Sequence, residues 1–561
     1  MVRAFLSAVG KEIRGMHEAA YLLAAFALLS QLLALVRDRL LAGSFGAGHT
    51  LDLYYAAFRI PDFLFATVAS LLSLYALLPI LSRLEHEHPG LVISFMRQAL
   101  LWFFVGMAII CGIVFIFAPA FVALAAPGLF ISDGAHLVLL TRILLLQPIL
   151  IGCSNILSNL TQLRHRFVLY SVSPLLYNLG IIFGIVALYP RLGIMGLAWG
   201  VVIGAFLHML VQVPFFAAEQ TEKTLPWRDT VRYLREVLAL SIPRTLSLSA
   251  TQISLFVLTA LASLLSTGSI SVFMFAWNLQ AVPLTIIGVS YSVAAFPTLS
   301  RLFAGGSTRE FVAHVETALR HVVFWAVPAT ILTIVLRAQL VRVILGSGAF
   351  DWSATRLVAA ALALLVVSLL AQSGTLLIAR AYYAAGNTRK PFYFALVDVF
   401  VSVGAALALA ALFHESQFFR FFLESLLRVT DLSGTTVLTL ALGLALGSIA
   451  EFWVGMWAFA KDFEMLGSNG LWRLTFQTFA ASVIGGACAY GALGFAGLYV
   501  NINTSIGVFV QGAVGGVVGL VATVAVLWML KTPELYEVVG AFARKFRDAE
   551  PVALEPSDIS S

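Results

Sequence analysis

The sequence predicts an all-α integral membrane protein of about fourteen transmembrane helices: two parallel six-helix bundles followed by two further helices. Three observations carry that fold class. Of 561 residues, 60% are hydrophobic and 11% charged, whereas a soluble domain holds about a quarter charged residues. Apolar runs such as VISFMRQALLWFFVGMAIICGIVFIFAPAFVALAA (92–126) exceed the ~20 residues with which a helix crosses a bilayer core of ~30 Å. One helix end is also written twice, as ALLPILSRL at 76–84 and AAFPTLSRL at 294–302. A transmembrane β-barrel is excluded, because it reads as short alternating segments.

Taken in order, residues 1–19 lack the short apolar core and small-residue cleavage site of a signal peptide. Apolar ranges 20–43, 54–82, 94–125, 135–160, 168–190 and 192–217 make the first bundle (20–217). A linker at 218–232 leads to ranges 233–265, 268–300, 313–338, 354–380, 391–413 and 436–460, the second bundle (233–460). Ranges 474–498 and 503–530 are the two-helix addition (474–530), and 531–561 a short amphipathic helix with a polar tail. The repeated ends close the second and eighth spans. Six helices separate them, an even number, so the copies enter the membrane in the same direction about an axis along its normal. For Arg83 and Arg301 individually, plain helix termination at the water boundary accounts for the motif. Weaker echoes pair AFRIP (57–61) with AWNLQAVP (276–283), and LTQLRHRFVLYSVSP (160–174) with IARAYYAAGNTRKPF (378–392).

Charge sorts by loop. With the N-terminus taken as cytoplasmic, the termini and even-numbered loops hold 23 Lys and Arg and the opposite loops nine, while Arg59 and Arg244 belong to spans. This bias predicts cytoplasmic termini in a multi-pass membrane protein. It also accounts for the net charge of +6 without a nucleic-acid partner. FFRFFLESLLRVTDL (418–432) is too short and charged to span and reads as an amphipathic helix on the outer face. Cys111, Cys153 and Cys488 all fall in apolar spans, with neither metal spacing nor a disulfide framework.

Ionisable residues at bilayer depth face a wet cavity or a partner. The first hairpin gathers Arg37, Asp38, Arg39, Asp52, Arg59 and Asp62. Guanidinium matches phosphate oxygens with paired donors, so this hairpin is a candidate cationic cavity for a phosphate; an Arg–Asp pair that only joins two helices is the competing reading. Asp52 also suits an N-cap of the second span. Arg244, after Pro243, either lines the cavity or snorkels to the interface. Asp398, with Ser402 one turn on and Glu451 as its nearest candidate partner, is either a cation or proton site or a hydrogen bond between helices.

Together VRDRLLAGSFGAGHTLDLYYAAFRIPDF (36–63), RFVLYSVSPLLYNLGIIFG (166–184), GLAWGVVIGAFLHMLVQVPF (196–215) and residues 252–300 resemble the MurJ/MviN family, flippases for the peptidoglycan precursor lipid II. The resemblance runs from about residue 25 to 530. It implies a central cationic cavity for diphosphate and sugar, and a lateral groove for the polyprenyl tail beside the last two helices. Arg37 and Asp52 match family positions; family arginines fall instead at Gln31, near Phe65 and at Asn278, so that Arg59 and Arg244 are the candidate replacements.

The expected function is therefore transport of lipid II by alternating access, without covalent chemistry, catalytic residues, cofactor or metal. Arg37, Arg59, Arg244, Asp38, Asp52, Gln31 and Asn278 form the expected substrate set, and Asp398, Ser402 and Glu451 the cation-coupling set. Expected partners are a lipid-linked saccharide diphosphate and membrane lipids; a monovalent cation and cell-wall synthesis proteins are further candidates. Export of another polyprenyl-linked oligosaccharide, or a transport-dead scaffold for cell-wall synthesis, are the alternatives. A membrane glycosyltransferase fits less well, since the outward loops are short and their acids scattered.

Overall fold

At membrane depth every backbone N–H and C=O must find a partner within the protein, and the described residues meet that demand with helices. The computed structural model describes residues 16–72, 74–219, 224–464, 469–501 and 504–547. The N-terminal helices are α1 (Met16–Phe45), α2 (His49–Ala57), α3 (Arg59–Thr67), α4 (Leu74–Glu87), α5 (Val92–Ile116), α6 (Ala118–Ala125), α7 (Pro127–Leu144), α8 (Leu146–Leu163), α9 (Phe167–Phe183), α10 (Tyr189–Leu192), α11 (Ile194–Leu210) and α12 (Val213–Ala218). They continue into α13 (Trp227–Ser263), α14 (Ser269–Leu284), α15 (Ser290–Ala304), α16 (Thr308–Leu345), α17 (Trp352–Val366), α18 (Leu369–Ala384), α19 (Arg389–Glu415), α20 (Gln417–Leu427) and α21 (Val437–Asp462). Last come α22 (Asn469–Tyr499), α23 (Ser505–Met529) and α24 (Pro533–Arg547).

The fourteen expected ranges fall on helical segments. Length and apolarity qualify ten segments among the described residues as membrane-crossing, or eleven when α17 and α18, which meet at 44°, count as one. The second expected span is not one helix. It is divided among α2, α3, a 3₁₀ turn at Ala69–Leu72 and α4. Pro61 explains the first break, since it has no N–H for the Ala57 carbonyl four residues back. Six residues of the expected linker, 227–232, are also helical, because α13 starts at Trp227 and runs unbroken for 37 residues. The amphipathic stretch forms α20, with Phe418 and Phe421 on its outer side and Leu423, Glu424 and Leu427 buried.

Helices α1 to α12 pack chiefly on one another, notably α9 on α1 and α11, and α8 on α5 and α11. Those from α14 to α21 do likewise, whereas α13 packs on α19 and also along α3 and α4 of the first set. The crossing of α19 with α21 is close: a Cβ on Gly443 would lie 2.7 Å from the Ala406 nitrogen. Helices α22 and α23 pair together and lean on α16.

The two sets are also hydrogen-bonded to each other on the face opposite the terminal helices. Ala349 N donates to Gly43 O at 2.8 Å, and Gly128 N to Ser263 Oγ at 3.1 Å. Arg39 Nη1 donates to the carbonyls of Val343 and Ile344, capping the C-terminal end of α16 from the other bundle. On the terminal face, links among the described residues include Gln98 Nε2 donating to Leu225 O at 2.9 Å and Arg83 pairing with Glu236 at 2.8 Å. The bundles are thus sealed at the distal face.

Candidate functional site

Between the bundles lies a hollow of about 190 Å³, lined by Arg37, Asp38, Tyr54, Tyr55, Arg59, Asp62, Gln147, Tyr177 and Asn278 among others. Helix α1 supplies Arg37 and Asp38, α2 the tyrosine pair, α3 Arg59 and Asp62, and α14 of the second bundle Asn278. Arg37 Nε donates to Asp38 Oδ1 at 2.9 Å, and its Nη1 to Asn178 Oδ1 at 3.1 Å. Asp38 in turn accepts from Asn278 Nδ2 at 3.3 Å, so a single carboxylate spans both bundles. Arg59 is only 6% exposed, yet its one ion-pair contact among the described residues, to Asp62, is long at 3.5 Å. Among the described residues its Nε has no hydrogen-bond partner, and neither does Gln147 Oε1.

Two guanidiniums therefore face two carboxylates, so the cavity expected to be cationic is balanced in charge. Full burial of charge demands such balance, because an unpaired ion in low dielectric is costly. The balance is unequal in quality: Arg37 is fully engaged, whereas Arg59 keeps a buried donor unused. A buried donor without a partner costs about 1–3 kcal/mol, which a bound anion would relieve. The volume is below the roughly 300–1,000 Å³ of sites that enclose drug-sized ligands. It suits a phosphate group rather than a whole saccharide.

Other expected site residues lie elsewhere. Asp52 is corrected on both counts: it neither lines the hollow nor caps the second span. Its carboxylate accepts from Gly268 N at 2.5 Å, Ser271 N at 2.8 Å and Ser271 Oγ at 2.6 Å, capping α14 of the opposite bundle. Gly268, left-handed at φ 92°, turns those amides toward it. Gln31 is exposed on α1, outside the lining. Arg244 sits within α13, and its side chain lies outside the described residues. Tyr54, Tyr55, Gln147, Tyr177 and Asn178 were not singled out from the sequence, although Gln147 and Asn178 are polar residues inside apolar spans.

The acid on α19 has its own enclosure. Asp398 Oδ1 accepts from Ser402 Oγ at 3.1 Å and Ser448 Oγ at 3.4 Å, and Oδ2 from Ser254 Oγ at 3.2 Å. Three hydroxyls from α13, α19 and α21 thus surround it. Among the described residues no hydrogen bond joins Asp398 to Glu451, which stands one turn beyond Ser448 on α21.

A family model described as Lipid II flippase MurJ matches residues 41–510. The chain belongs to the MurJ family. The lipid II flippase MurJ of Burkholderia cenocepacia is 28% identical over 385 residues, 66% of this chain and 74% of that protein. A probable lipid II flippase MurJ of Synechocystis is 28% identical over 413 residues, 71% of this chain and 76% of its own. Among solved structures, a lipid II flippase MurJ in an inward closed conformation superposes with a TM-score of 0.67 at 19% identity, covering 91% of this chain and 99% of that one. An inward-facing multidrug resistance MATE family transporter superposes at 0.60 with 17% identity, over 78% and 94% of the two chains. These two likenesses establish the shared fold. Asn278, where the resemblance implied a cation, donates to Asp38.

Proposed function

We propose that this MurJ-family protein is a lipid II flippase, moving the lipid-linked precursor from the leaflet on the side of its termini to the opposite leaflet. The observation that carries the reading is Arg59: a buried guanidinium with an unused Nε, facing a hollow to which both bundles contribute. The diphosphate enters while the distal face is sealed, takes hydrogen bonds from Arg59 and Arg37, and loosens their contacts to Asp62 and Asp38. Because Asp38 also holds Asn278, that exchange releases a link between the bundles and lets them rock. The sugar and peptide remain outside the hollow and the polyprenyl tail stays in the membrane. No bond is made or broken. Asp398 within its three serines is the proposed site of the driving monovalent cation or proton, with Glu451 as a second acid.

The test is purified protein in liposomes with fluorescent lipid II. R59Q, which removes a charged donor, should slow flipping about ten- to hundredfold, in line with the roughly 1.5–3 kcal/mol of hydrogen bonds to charged groups. R37Q should slow it as well. Wild-type rates from both variants would remove the hollow from the mechanism. The neutral residues at Gln31 and Asn278 favour one further arm, in which a differently decorated polyprenyl-linked oligosaccharide competes with lipid II.

A further inference from the structure

A second and larger cavity, about 690 Å³, opens on the distal side between α16, α17, α20, α22 and α23, remote from the hollow and sharing none of its residues. Its polar wall carries Arg337, Arg356 and Arg428 with Gln339, Tyr490 and Gln511. Arg356 is occupied, holding Asp431 through both nitrogens at 2.7 and 2.6 Å. It also donates to the Arg428 carbonyl at 2.5 Å, where the chain turns left-handed at φ 60°. That turn aims the Arg428 side chain at Tyr490, whose hydroxyl accepts its Nη2 at 3.2 Å. Arg337 donates to its own helix, to Ile334 O at 2.8 Å. Neither Arg337 nor Arg428 has an ion-pair partner among the described residues, and their like charges repel one another.

Two unneutralised guanidiniums sharing one cavity are stable together when an anion lies between them. The rest of the wall says what carries the anion. Ile334, Val335, Leu426 and Leu493 are apolar, and they line a cavity walled by α16, α22 and α23, long apolar helices of membrane-crossing composition. Helix α20 forms its outer rim and exposes Phe418, Phe421 and Phe422, the signature of a helix lying at the membrane interface. Arg337 stands eight residues before the end of α16 at Leu345, about 12 Å along the axis at 1.5 Å per residue, a depth from which arginine snorkels to headgroup level. The cavity therefore sets both guanidiniums beside apolar wall near the distal ends of these helices.

We infer that this cavity is a binding site for the phosphate headgroup of an anionic lipid resident in the distal leaflet, gripped by Arg337 and Arg428. It clamps α20 and the two added helices against α16. The site is independent of the transport hollow and stands whether or not lipid II is the cargo.

The test uses the full chain in neutral detergent, with phosphatidylglycerol retention read by native mass spectrometry and thermal stability alongside. Wild type should retain phosphatidylglycerol and melt higher in its presence, while R337Q/R428Q should retain it roughly tenfold less, having lost two charged donors. R337K/R428K, which keeps the charges, should retain an intermediate amount, and Q339E should repel the lipid without removing either arginine. R309Q, exposed on the terminal face, should match wild type. If the double Gln variant misfolds, Q339E and the lysine pair decide the matter. Equal retention by wild type and these variants overturns the site. Equal stabilisation by inorganic phosphate overturns its assignment to a lipid.

Discussion

At the residue scale, the same side chains that look like ligands in the sequence are divided by the fold between binding and closure. Asp52 is the clearest closure residue, since three donors from the opposite bundle converge on one carboxylate. Asp52→Asn keeps the shape and removes the charge. Hydrogen bonds to charged groups contribute about 1.5–3 kcal/mol, so the variant should open its distal face at least about tenfold more often. Ser269, buried beside this cap, supplies the readout: S269C should react faster with a charged maleimide in the D52N background, and unchanged labelling would show that the cap does not hold the face. A second residue-scale prediction concerns pH. The hydrogen bonds from Arg356 hold the Asp431 carboxyl below the usual carboxylate range. A depressed acid stabilises the folded form above its unfolded pKa and loses that contribution as pH falls through its folded one. Hydrogen exchange of the 428–436 loop should therefore stay slow at neutral pH and accelerate on acidification below about pH 4. D431N should exchange fast throughout.

At the element scale, packing distance sets what each helix tolerates. The α19–α21 crossing admits no side chain at Gly443, where the Ala406 backbone already stands in the space of a Cβ. G443V should lower stability by about 3 kcal/mol, near the upper end of overpacking costs, and move Ser448 of α21 away from Asp398. A melting temperature equal to wild type would count against so tight a contact. Such crossings also mark where the sequence stops being legible. Apolar runs placed the spans because burial in lipid leaves its mark on every residue of a helix. The bend between α17 and α18 left no mark, having neither Pro nor Gly at its break. There one distant and one local side chain occupy the helix ladder: Gln280 Nε2 donates to Leu365 O at 3.1 Å, and Ser368 Oγ donates to the same carbonyl at 2.7 Å. The hollow was legible in part for the same reason. Arg37, Arg59 and Asn278 stood out because charge and amide are rare in apolar runs. Tyr54, Tyr55 and Tyr177 did not, since tyrosine is common in membrane helices and only the fold reveals which of its faces meets a cavity. Asp52 misled because its true partner is 216 residues away, beyond any local pattern.

At the scale of the whole molecule, the proposed mechanism requires the distal seal to break and reform in each cycle, and the geometry offers a direct way to hold it shut. A Cβ placed on Gly43 would lie 3.4 Å from the Cβ of Ser347, next to the ~3.5–4.5 Å separation that a disulfide spans. Gly43 belongs to the end of α1 and Ser347 follows α16, so G43C with S347C would tie the two bundles at the distal face. The exposed Cys488 is replaced by alanine in this background; Cys111 and Cys153 are buried. Oxidation should stop lipid II flipping in liposomes while leaving the protein folded and its melting temperature unchanged or higher, because the crosslink is made in a conformation that the chain already adopts. Reduction with dithiothreitol should restore the rate. Each single-cysteine variant should be indifferent to oxidant, which separates the crosslink from damage to either position. Continued flipping by the fully oxidised pair would mean that the bundles need not part at this face, and lipid II would then have to leave by a path that avoids the distal opening.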